Sequence, residues 1–155
     1  MTWKGRKKIA PVLAALLLTS LGQAGAMEPA KRPRFDDVKA RTTEFIDWSS
    51  SIRLTSAQEK TKRQALGPIP APCCKEFSVA TCCCPCNLAK SVWGLANYSI
   101  VRLGYDAAQT RALTLEWLQA TNPAGYSGDS CHRGGCSKRF SANGCGGMNE
   151  DAVIF

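Results

Sequence analysis

All nine cysteines of this 155-residue chain fall between Cys73 and Cys145, and four of them stand in the five positions from Cys82 to Cys86. A small domain with so many cysteines usually depends on disulfides or on a bound metal ion, because its hydrophobic core is thin. The number is odd, so at least one thiol must be free, bound to metal or paired with another chain. The cysteines therefore constrain the C-terminal half of the chain more than any other feature.

The N-terminus has the layout of a secretory signal peptide. Basic residues at positions 4, 6, 7 and 8 precede an apolar run from Ile9 to Leu18, and Ala24 and Ala26 hold the small-residue positions of a cleavage site. The run is too short to span a bilayer, which needs about 20 residues. We expect cleavage after Ala26, export to the periplasm or the medium, and no membrane span in the mature chain.

Removal of residues 1–26 takes away four basic residues, so that 16 Lys and Arg remain against 12 Asp and Glu, a net charge of +4. Proteins that bind nucleic acids carry basic clusters interleaved with aromatic residues that stack on bases. The basic surplus of the mature chain is mild, and we therefore expect no nucleic-acid partner.

The mature chain divides by composition into three parts. Residues 27–66 are charged and contain no cysteine. Residues 67–72, Gly-Pro-Ile-Pro-Ala-Pro, predict an extended linker, because proline fixes φ and lacks an amide donor. Residues 73–155 then predict a cysteine-rich domain.

Two helices are predicted in the N-terminal part. Asp36 or Asp37 is available as the N-cap of the first helix, which is followed by a stripe of apolar positions at helical spacing. Thr55 and Gln58 predict a capping box for a second helix that ends near Leu66. We expect both helices to brace the domain that follows.

The segment with the clearest helical period follows the cysteine run. Asn87 predicts the N-cap of a helix that ends at Gly104. Asp106 and Gln109 predict a capping box for a second helix. Together they form a predicted helical hairpin from Leu88 to Ala120. The predicted inward positions are Leu88, Val92, Leu95, Ala96, Ser99, Ile100 and Leu103 in the first helix, and Ala112, Leu113, Glu116, Trp117 and Ala120 in the second.

Seven glycines lie in the 23 residues from Gly125 to Gly147, together with Cys131, Cys136 and Cys145. No helical or strand period survives there, so we expect cross-links or a metal ion to order this segment. The predicted fold class is mainly α, a helical hairpin with a loop-rich, cysteine-rich C-terminal segment that disulfides or metal stabilise.

Soft-metal binding is the first interpretation of the cysteines. Thiolates select Cu(I), Zn or other thiophilic ions, and Cys86 precedes a helix whose dipole favours a thiolate. The spacing of Cys131 and Cys136 fits one half of a zinc finger, whereas no haem-attachment motif occurs. The candidate ligands are Cys82, Cys84, Cys86, Cys131, Cys136, Cys145 and His132, the single histidine of the chain.

Two other interpretations stay open. The first is an inert disulfide framework of a structural or interaction module, although bonds between sequence neighbours such as Cys82 and Cys83 are strained. The segment Cys83-Cys84-Pro85-Cys86 also contains the Cys-x-x-Cys spacing of thiol–disulfide oxidoreductases. The odd cysteine allows a disulfide-linked dimer or an unknown protein partner. The sequence shows no substrate-pocket signature, so no enzymatic reaction is proposed.

The cysteine-rich segment and the hairpin after it resemble two groups of exported bacterial proteins. The likeness is carried by Pro72-Cys73-Cys74 and by the run from Cys82 to Asn87. One group is defined by a Pro-Cys-Tyr-Cys-Gly-Cys motif, whose tyrosine and spacing this chain lacks. The other is the thiol oxidoreductase of cytochrome c maturation, which has one Cys pair where this chain has four crowded cysteines. The resemblance covers about a third of the chain and implies an exported bacterial protein with thiol or metal chemistry.

Overall fold

The structure is a computed structural model that describes residues 1–2 and 30–155. The predicted signal peptide lies almost wholly outside the described residues, as do residues 27–29 of the N-terminal segment. Within the described part, no helix is both long enough and apolar enough to cross a membrane. The described chain is mainly helical, which confirms the predicted fold class at that level.

Four α-helices and one short antiparallel sheet make up the regular structure of residues 30–155. Two helices precede the sheet and two follow it. Their bounds are α1 Val38–Ser51, α2 Ser56–Leu66, β1 Pro70–Ala71, β2 Cys74–Ser78, α3 Asn87–Val101 and α4 Ala107–Thr121. Short 3-10 turns lie at Val79–Thr81, Cys131–Arg133, Gly135–Ser137, Phe140–Ala142 and Glu150–Ala152.

Side-chain caps start three of the helices, as predicted. Asp37 accepts a hydrogen bond from a backbone amide of α1 at 2.9 Å. Both predicted capping boxes are present, with Thr55 and Gln58 at the start of α2 and Asp106 and Gln109 at the start of α4. Each box pairs two amides that a helix start would otherwise leave without a partner.

The start of α3 differs from the prediction, because Cys86 is its N-cap and Asn87 is its first helical residue. The side chain of Asn87 bonds to the C-terminal tail instead, donating from Nδ2 to the carbonyl oxygens of Gly146 at 2.9 Å and Asn149 at 2.7 Å. Its backbone amide donates to the carbonyl of Gly147 at 2.9 Å. The predicted N-cap is therefore wrong, because the Asn87 side chain bonds to carbonyls of the tail and not to the start of its own helix.

The proline-rich segment 67–72 is partly extended and takes part in a β-hairpin. Strand β1 pairs with β2 in antiparallel register, with Ala71 opposite Cys74. Strand β2 was not predicted, because Cys74 is its one fully buried side chain and no alternation of apolar and polar residues marks it. The hairpin holds Cys73 in its turn, at the edge of the core.

One hydrophobic core joins the helices on both sides of segment 67–72. Helix α1 approaches α3 so closely that a Cβ on Gly94 would lie 1.7 Å from the carbonyl oxygen of Phe45. The ring of Phe45 lies 4.9 Å from that of Trp117 on α4, centroid to centroid, and Leu66 at the end of α2 is fully buried. Helices α1 and α2 thus brace the helical hairpin of α3 and α4, as expected.

The predicted inward face of α4 is partly wrong. Leu113 and Trp117 are buried, but Ala112 and Glu116 are exposed, and Glu116 forms an ion pair with Arg32. Threonines take part in the buried face because their hydroxyls bond to carbonyls one turn back in the helix, so burial leaves no donor unpaired. The further buried residues of α4 are Thr110, Thr114, Leu118 and Thr121.

The glycine-rich tail is ordered by backbone hydrogen bonds and by one aromatic anchor. The amide of Cys145 donates to the carbonyl of Gly135 at 2.9 Å, and that of Gly146 donates to Lys138 at 2.9 Å. Phe140 is only 2% exposed and belongs to the main core. The tail therefore has packing interactions of its own, which the sequence analysis did not anticipate.

Candidate functional site

Three separate segments bring cysteine side chains together at the N-terminal end of α3. Cys73 lies in the turn of the β-hairpin, Cys86 caps α3, and Cys145 lies in the tail. The amide of Leu88 donates to the carbonyl of Cys145 at 3.1 Å, and the amide of Cys131 donates to the carbonyl of Cys73 at 3.0 Å. These bonds fix the tail against both α3 and the β-hairpin. We call Cys73, Cys86 and Cys145 the buried thiol group.

The three side chains of the buried thiol group belong to one buried cluster in the protein interior. Their exposed fractions are 3% for Cys73, 2% for Cys86 and 0% for Cys145. Side-chain hydrogen bonds join Cys145 to each of the other two. These bonds lower the pKa of Cys73 from 9.0 to about 6 and lower the pKa of Cys86, while the pKa of Cys145 is raised. Cys73 is therefore largely ionised at neutral pH.

The start of α3 adds to the stabilisation of a thiolate at Cys86. Besides the hydrogen bond between Cys86 and Cys145, the backbone amides of Ala89 and Leu88 lower the pKa of Cys86, against the opposing effect of burial. Amides at a helix start carry partial positive charge and favour a negative side chain. The position of Cys86 at the N-cap is thus suited to a metal ligand or a nucleophile.

Five further cysteines surround the buried thiol group. We call them the outer cysteines: Cys82, Cys83, Cys84, Cys131 and Cys136. Cys83 is exposed and the other four are partly exposed. The Sγ atoms of Cys83 and Cys84 lie 3.8 Å apart. Cys131 lies beside Cys73, because its amide donates to the Cys73 carbonyl.

Three of the outer cysteines, Cys82, Cys84 and Cys131, hold their protons more tightly than an ordinary thiol. Partial burial raises the pKa of Cys82 to about 12 and that of Cys131 to about 11, and it also raises the pKa of Cys84. Neighbouring sulfurs raise these values further, because two thiolates close together repel each other. The pKa values that are lowered thus belong to Cys73 and Cys86.

The predicted ligands are distributed over both sets. Cys86 and Cys145 belong to the buried thiol group, whereas Cys82, Cys84, Cys131 and Cys136 are outer cysteines. His132 is exposed on the 3-10 turn Cys131–Arg133. Cys73 is not among the predicted ligands, because its proximity to Cys145 depends on a β-hairpin that has no sequence period. Its place in the crowded cysteine segment is the one signal that could have included it.

The nine cysteines are free thiols in this structure. Over residues 1–2 and 30–155, no group of three or more His, Cys, Asp or Glu side chains is arranged so that it could hold a metal ion as it stands. The buried thiols touch as hydrogen-bonded groups, and sharing one ion would require their side chains to turn towards a common point.

Comparison with protein-family models, curated proteins and solved structures found no match. The resemblance to the two exported bacterial groups therefore stays a prediction. The functional argument rests on the geometry and ionisation of the cysteines themselves.

Proposed function

We propose that this chain is an exported, small cysteine-rich protein that binds a thiophilic metal ion through the thiolates of Cys73, Cys86 and Cys145. The observation that carries the proposal is that three separate segments bring these three cysteines into one buried cluster. On binding, the three side chains turn towards one ion, and metal–sulfur bonds replace the hydrogen bonds that join them.

The set of donors favours Cu(I) as the ion. Sulfur ligands select soft metals, of which Cu(I) and Zn are the common examples. A structural zinc site takes four protein ligands, whereas the buried thiol group supplies three. Cys131 makes a hydrogen bond to Cys73 and is therefore the candidate fourth ligand for zinc.

The ionisation of Cys73 supports a cation at this place. A charged group in the protein interior costs free energy unless an opposite charge accompanies it. Cys73 is 3% exposed, and the pKa of its thiol is lowered to about 6. A bound cation offsets this buried charge and displaces the protons that Cys86 and Cys145 still hold. The affinity for metal therefore rises with pH.

The decisive experiment is an anaerobic titration of the reduced mature protein with Cu(I), and separately with Zn(II), against a chromogenic chelator. Replacing Cys73, Cys86 or Cys145 by Ala should lower the affinity on the order of 100-fold or more, since removing even a supporting group around a metal costs 10–100-fold. Cys74→Ala is the matched control, because Cys74 is equally buried in the adjacent strand. Failure of the wild-type protein to compete for either ion contradicts the proposal.

The intact mass of the protein purified aerobically separates the proposal from its alternatives. An added metal mass, with several cysteines open to alkylation after unfolding, supports the metal site. A mass lower by about eight hydrogens, with one free thiol, means four disulfides and a structural module. Oxidoreductase activity would show as dithiol exchange that is lost when Cys83 and Cys86 are replaced by Ser.

The proposal of export rests on the layout of residues 1–26 and has its own test. Protein recovered from the periplasm or the medium should begin at Met27 when its N-terminus is sequenced. A chain that begins at Met1 and stays in the cytoplasm contradicts this part of the proposal, and leaves the metal titration to be judged separately.

A further inference from the structure

We propose that Cys83 and Cys84 form a surface redox site, at which exchange with a small-molecule disulfide converts the two neighbouring thiols reversibly into a disulfide. The inference goes beyond the proposed metal binding and does not depend on it, because the buried thiol group takes no part in the reaction. It assigns a chemical role to two of the outer cysteines and names the class of molecule that oxidises them.

The two sulfur atoms already lie side by side. The Sγ atoms of Cys83 and Cys84 are 3.8 Å apart, and the Cys83 thiol donates to the Cys84 sulfur. Neighbouring side chains of an extended chain point to opposite faces, whereas the backbone bends at these two residues, which lets both sulfurs lie on one side. A disulfide needs a distance of about 2.05 Å, so an approach of about 1.8 Å closes the bond.

A tight turn at Pro85 positions the backbone on the C-terminal side of this pair. The amide of Cys86 donates to the carbonyl of Cys84 at 2.9 Å, and a bond between residues two apart closes a γ-turn. Proline fixes its own φ and keeps the residue before it out of the helical region. Cys84 is therefore held in place just before α3, with Cys83 next to it at the surface.

Solvent reaches Cys83 but not the partner that the Cys-x-x-Cys spacing predicts for it. Cys83 is exposed and Cys84 is partly exposed, whereas Cys86 is 2% exposed and caps α3. Thiol–disulfide exchange requires that the incoming disulfide reach the attacking sulfur. Access and distance therefore favour Cys84 over Cys86 as the partner of Cys83, and we expect Cys86 to stay reduced.

The reaction consists of two successive exchanges. The thiolate of Cys83 attacks one sulfur of the small-molecule disulfide, forms a mixed disulfide with it and releases one small thiolate. Cys84 then loses its proton to that thiolate and attacks the Cys83 sulfur, which forms the bond between Cys83 and Cys84 and releases the second small thiolate. The protein thiols thus give up two electrons and two protons, and the small-molecule disulfide takes up both as it becomes two thiols.

The bond between Cys83 and Cys84 should be easily reduced. A disulfide between sequence neighbours is strained, and strained or exposed disulfides are more oxidising than structural ones. An excess of a small thiol should therefore return both residues to thiols. A site of this kind responds to the balance of thiols and disulfides in the medium around the protein.

The test is a mass map of the reduced, metal-free full chain after exposure to oxidised glutathione. Free thiols are alkylated after unfolding, and trypsin releases residues 76–90 as one peptide that contains Cys82, Cys83, Cys84 and Cys86. We expect this peptide to lose about two hydrogens and to carry alkyl groups on Cys82 and Cys86 alone. An excess of reduced glutathione should make all the cysteines of the peptide open to alkylation again.

Two variants locate the bond. In Cys84→Ser the oxidised Cys83 has no partner for the second exchange, so its mixed disulfide with glutathione should rise at least about tenfold above the wild-type level. Cys82→Ser is the matched control, because Cys82 is the other sequence neighbour of Cys83 and is partly exposed. This variant should form the bond as the wild type does.

Alkylation of both Cys83 and Cys84 in the oxidised wild-type protein would overturn the proposal. So would a bond from Cys83 to Cys82, to Cys86 or to another peptide of the digest. A disulfide between Cys83 and Cys84 that excess reduced glutathione does not open would contradict the reversible reaction.

Discussion

The side chain of Asn87 joins the start of α3 to the C-terminal tail, because its Nδ2 donates to the carbonyl oxygen of Gly146 at 2.9 Å. The same nitrogen donates to the carbonyl of Asn149 at 2.7 Å, and the residue is fully buried. These bonds hold the tail, with Cys145, against the helix that Cys86 caps. The buried thiol group therefore depends on an amide that belongs to none of its ligands.

Replacing Asn87 by Ala should loosen the tail. The change removes both hydrogen bonds of a fully buried side chain, so the free energy of unfolding should fall by about 1–3 kcal/mol. Urea denaturation of the reduced protein measures this loss, and amide hydrogen exchange should become faster over residues 144–149. Gln119→Ala removes an exposed side-chain donor to Pro123 and should change stability by less than about 0.5 kcal/mol. Unchanged exchange in the tail would contradict the role of Asn87.

Replacing Gly94 by Ala should destabilise the protein, although the same change stabilises most helices by about 1 kcal/mol. A Cβ at this position would lie 1.7 Å from the carbonyl oxygen of Phe45 and 2.7 Å from the amide nitrogen of Ser49. Helix α1 must therefore move away from α3, at a cost of about 1–3 kcal/mol. Ala112→Gly on the exposed face of α4 calibrates the helix-propensity term in the same urea assay. A gain in stability for Gly94→Ala would show that the two helices do not pack this closely.

The ionisation of Cys73 should appear in the pH dependence of the reduced, metal-free protein. Its pKa is lowered from 9.0 to about 6, mainly by the hydrogen bond from Cys145. Thiolate absorbance in the ultraviolet should therefore rise through a step near pH 6. Cys73→Ala should remove the step, Cys145→Ala should move it to higher pH, and Cys74→Ala should preserve it. Absorbance that rises only near the ordinary thiol pKa would contradict the assignment.

The same shift has a consequence for stability. A pKa that is lower in the folded protein than in the unfolded chain contributes stability that is present above the unfolded value of 9.0 and is lost as the pH falls through about 6. The difference in unfolding free energy between wild type and Cys73→Ala should therefore shrink as the pH falls from 9 to 6. A difference that is independent of pH over this interval would be inconsistent with a thiolate at Cys73.

Tyr126 should make the protein sensitive to alkali. Burial raises the pKa of its hydroxyl above 10.0, and the oxygen lies 2.9 Å from the hydroxyl of Thr121. Because the folded-state pKa is the higher one, this contribution to stability is present below pH 10 and is lost as the pH rises towards the folded value. Tyr126→Phe should lower the free energy of unfolding by about 1 kcal/mol at neutral pH. Above pH 10, the free energy of unfolding of this variant should fall less steeply with pH than that of wild type. Equal alkaline slopes for the two proteins would refute the assignment.

The candidate site could be predicted only in outline. The crowding of cysteines next to a helix start pointed to Cys86, and the tail pointed to Cys145. Neither signal predicts that these cysteines lie near Cys73. That proximity requires a β-hairpin whose second strand has one buried side chain and therefore no recognisable strand period. The predicted cap at Asn87 was wrong for a related reason, since the acceptors that claim its side chain lie about 60 residues away in the sequence.

What the sequence alone determined is the set of features that depend on residues within four positions of one another. The caps at Asp37, Thr55 and Asp106 are of this kind. Their hydrogen bonds close within a single turn, so local spacing is enough to predict them. The tertiary structure alone decided which thiols come together. Helix α1, the β-hairpin and the tail pack around α3 through contacts between residues far apart in the sequence, and local spacing does not predict such contacts.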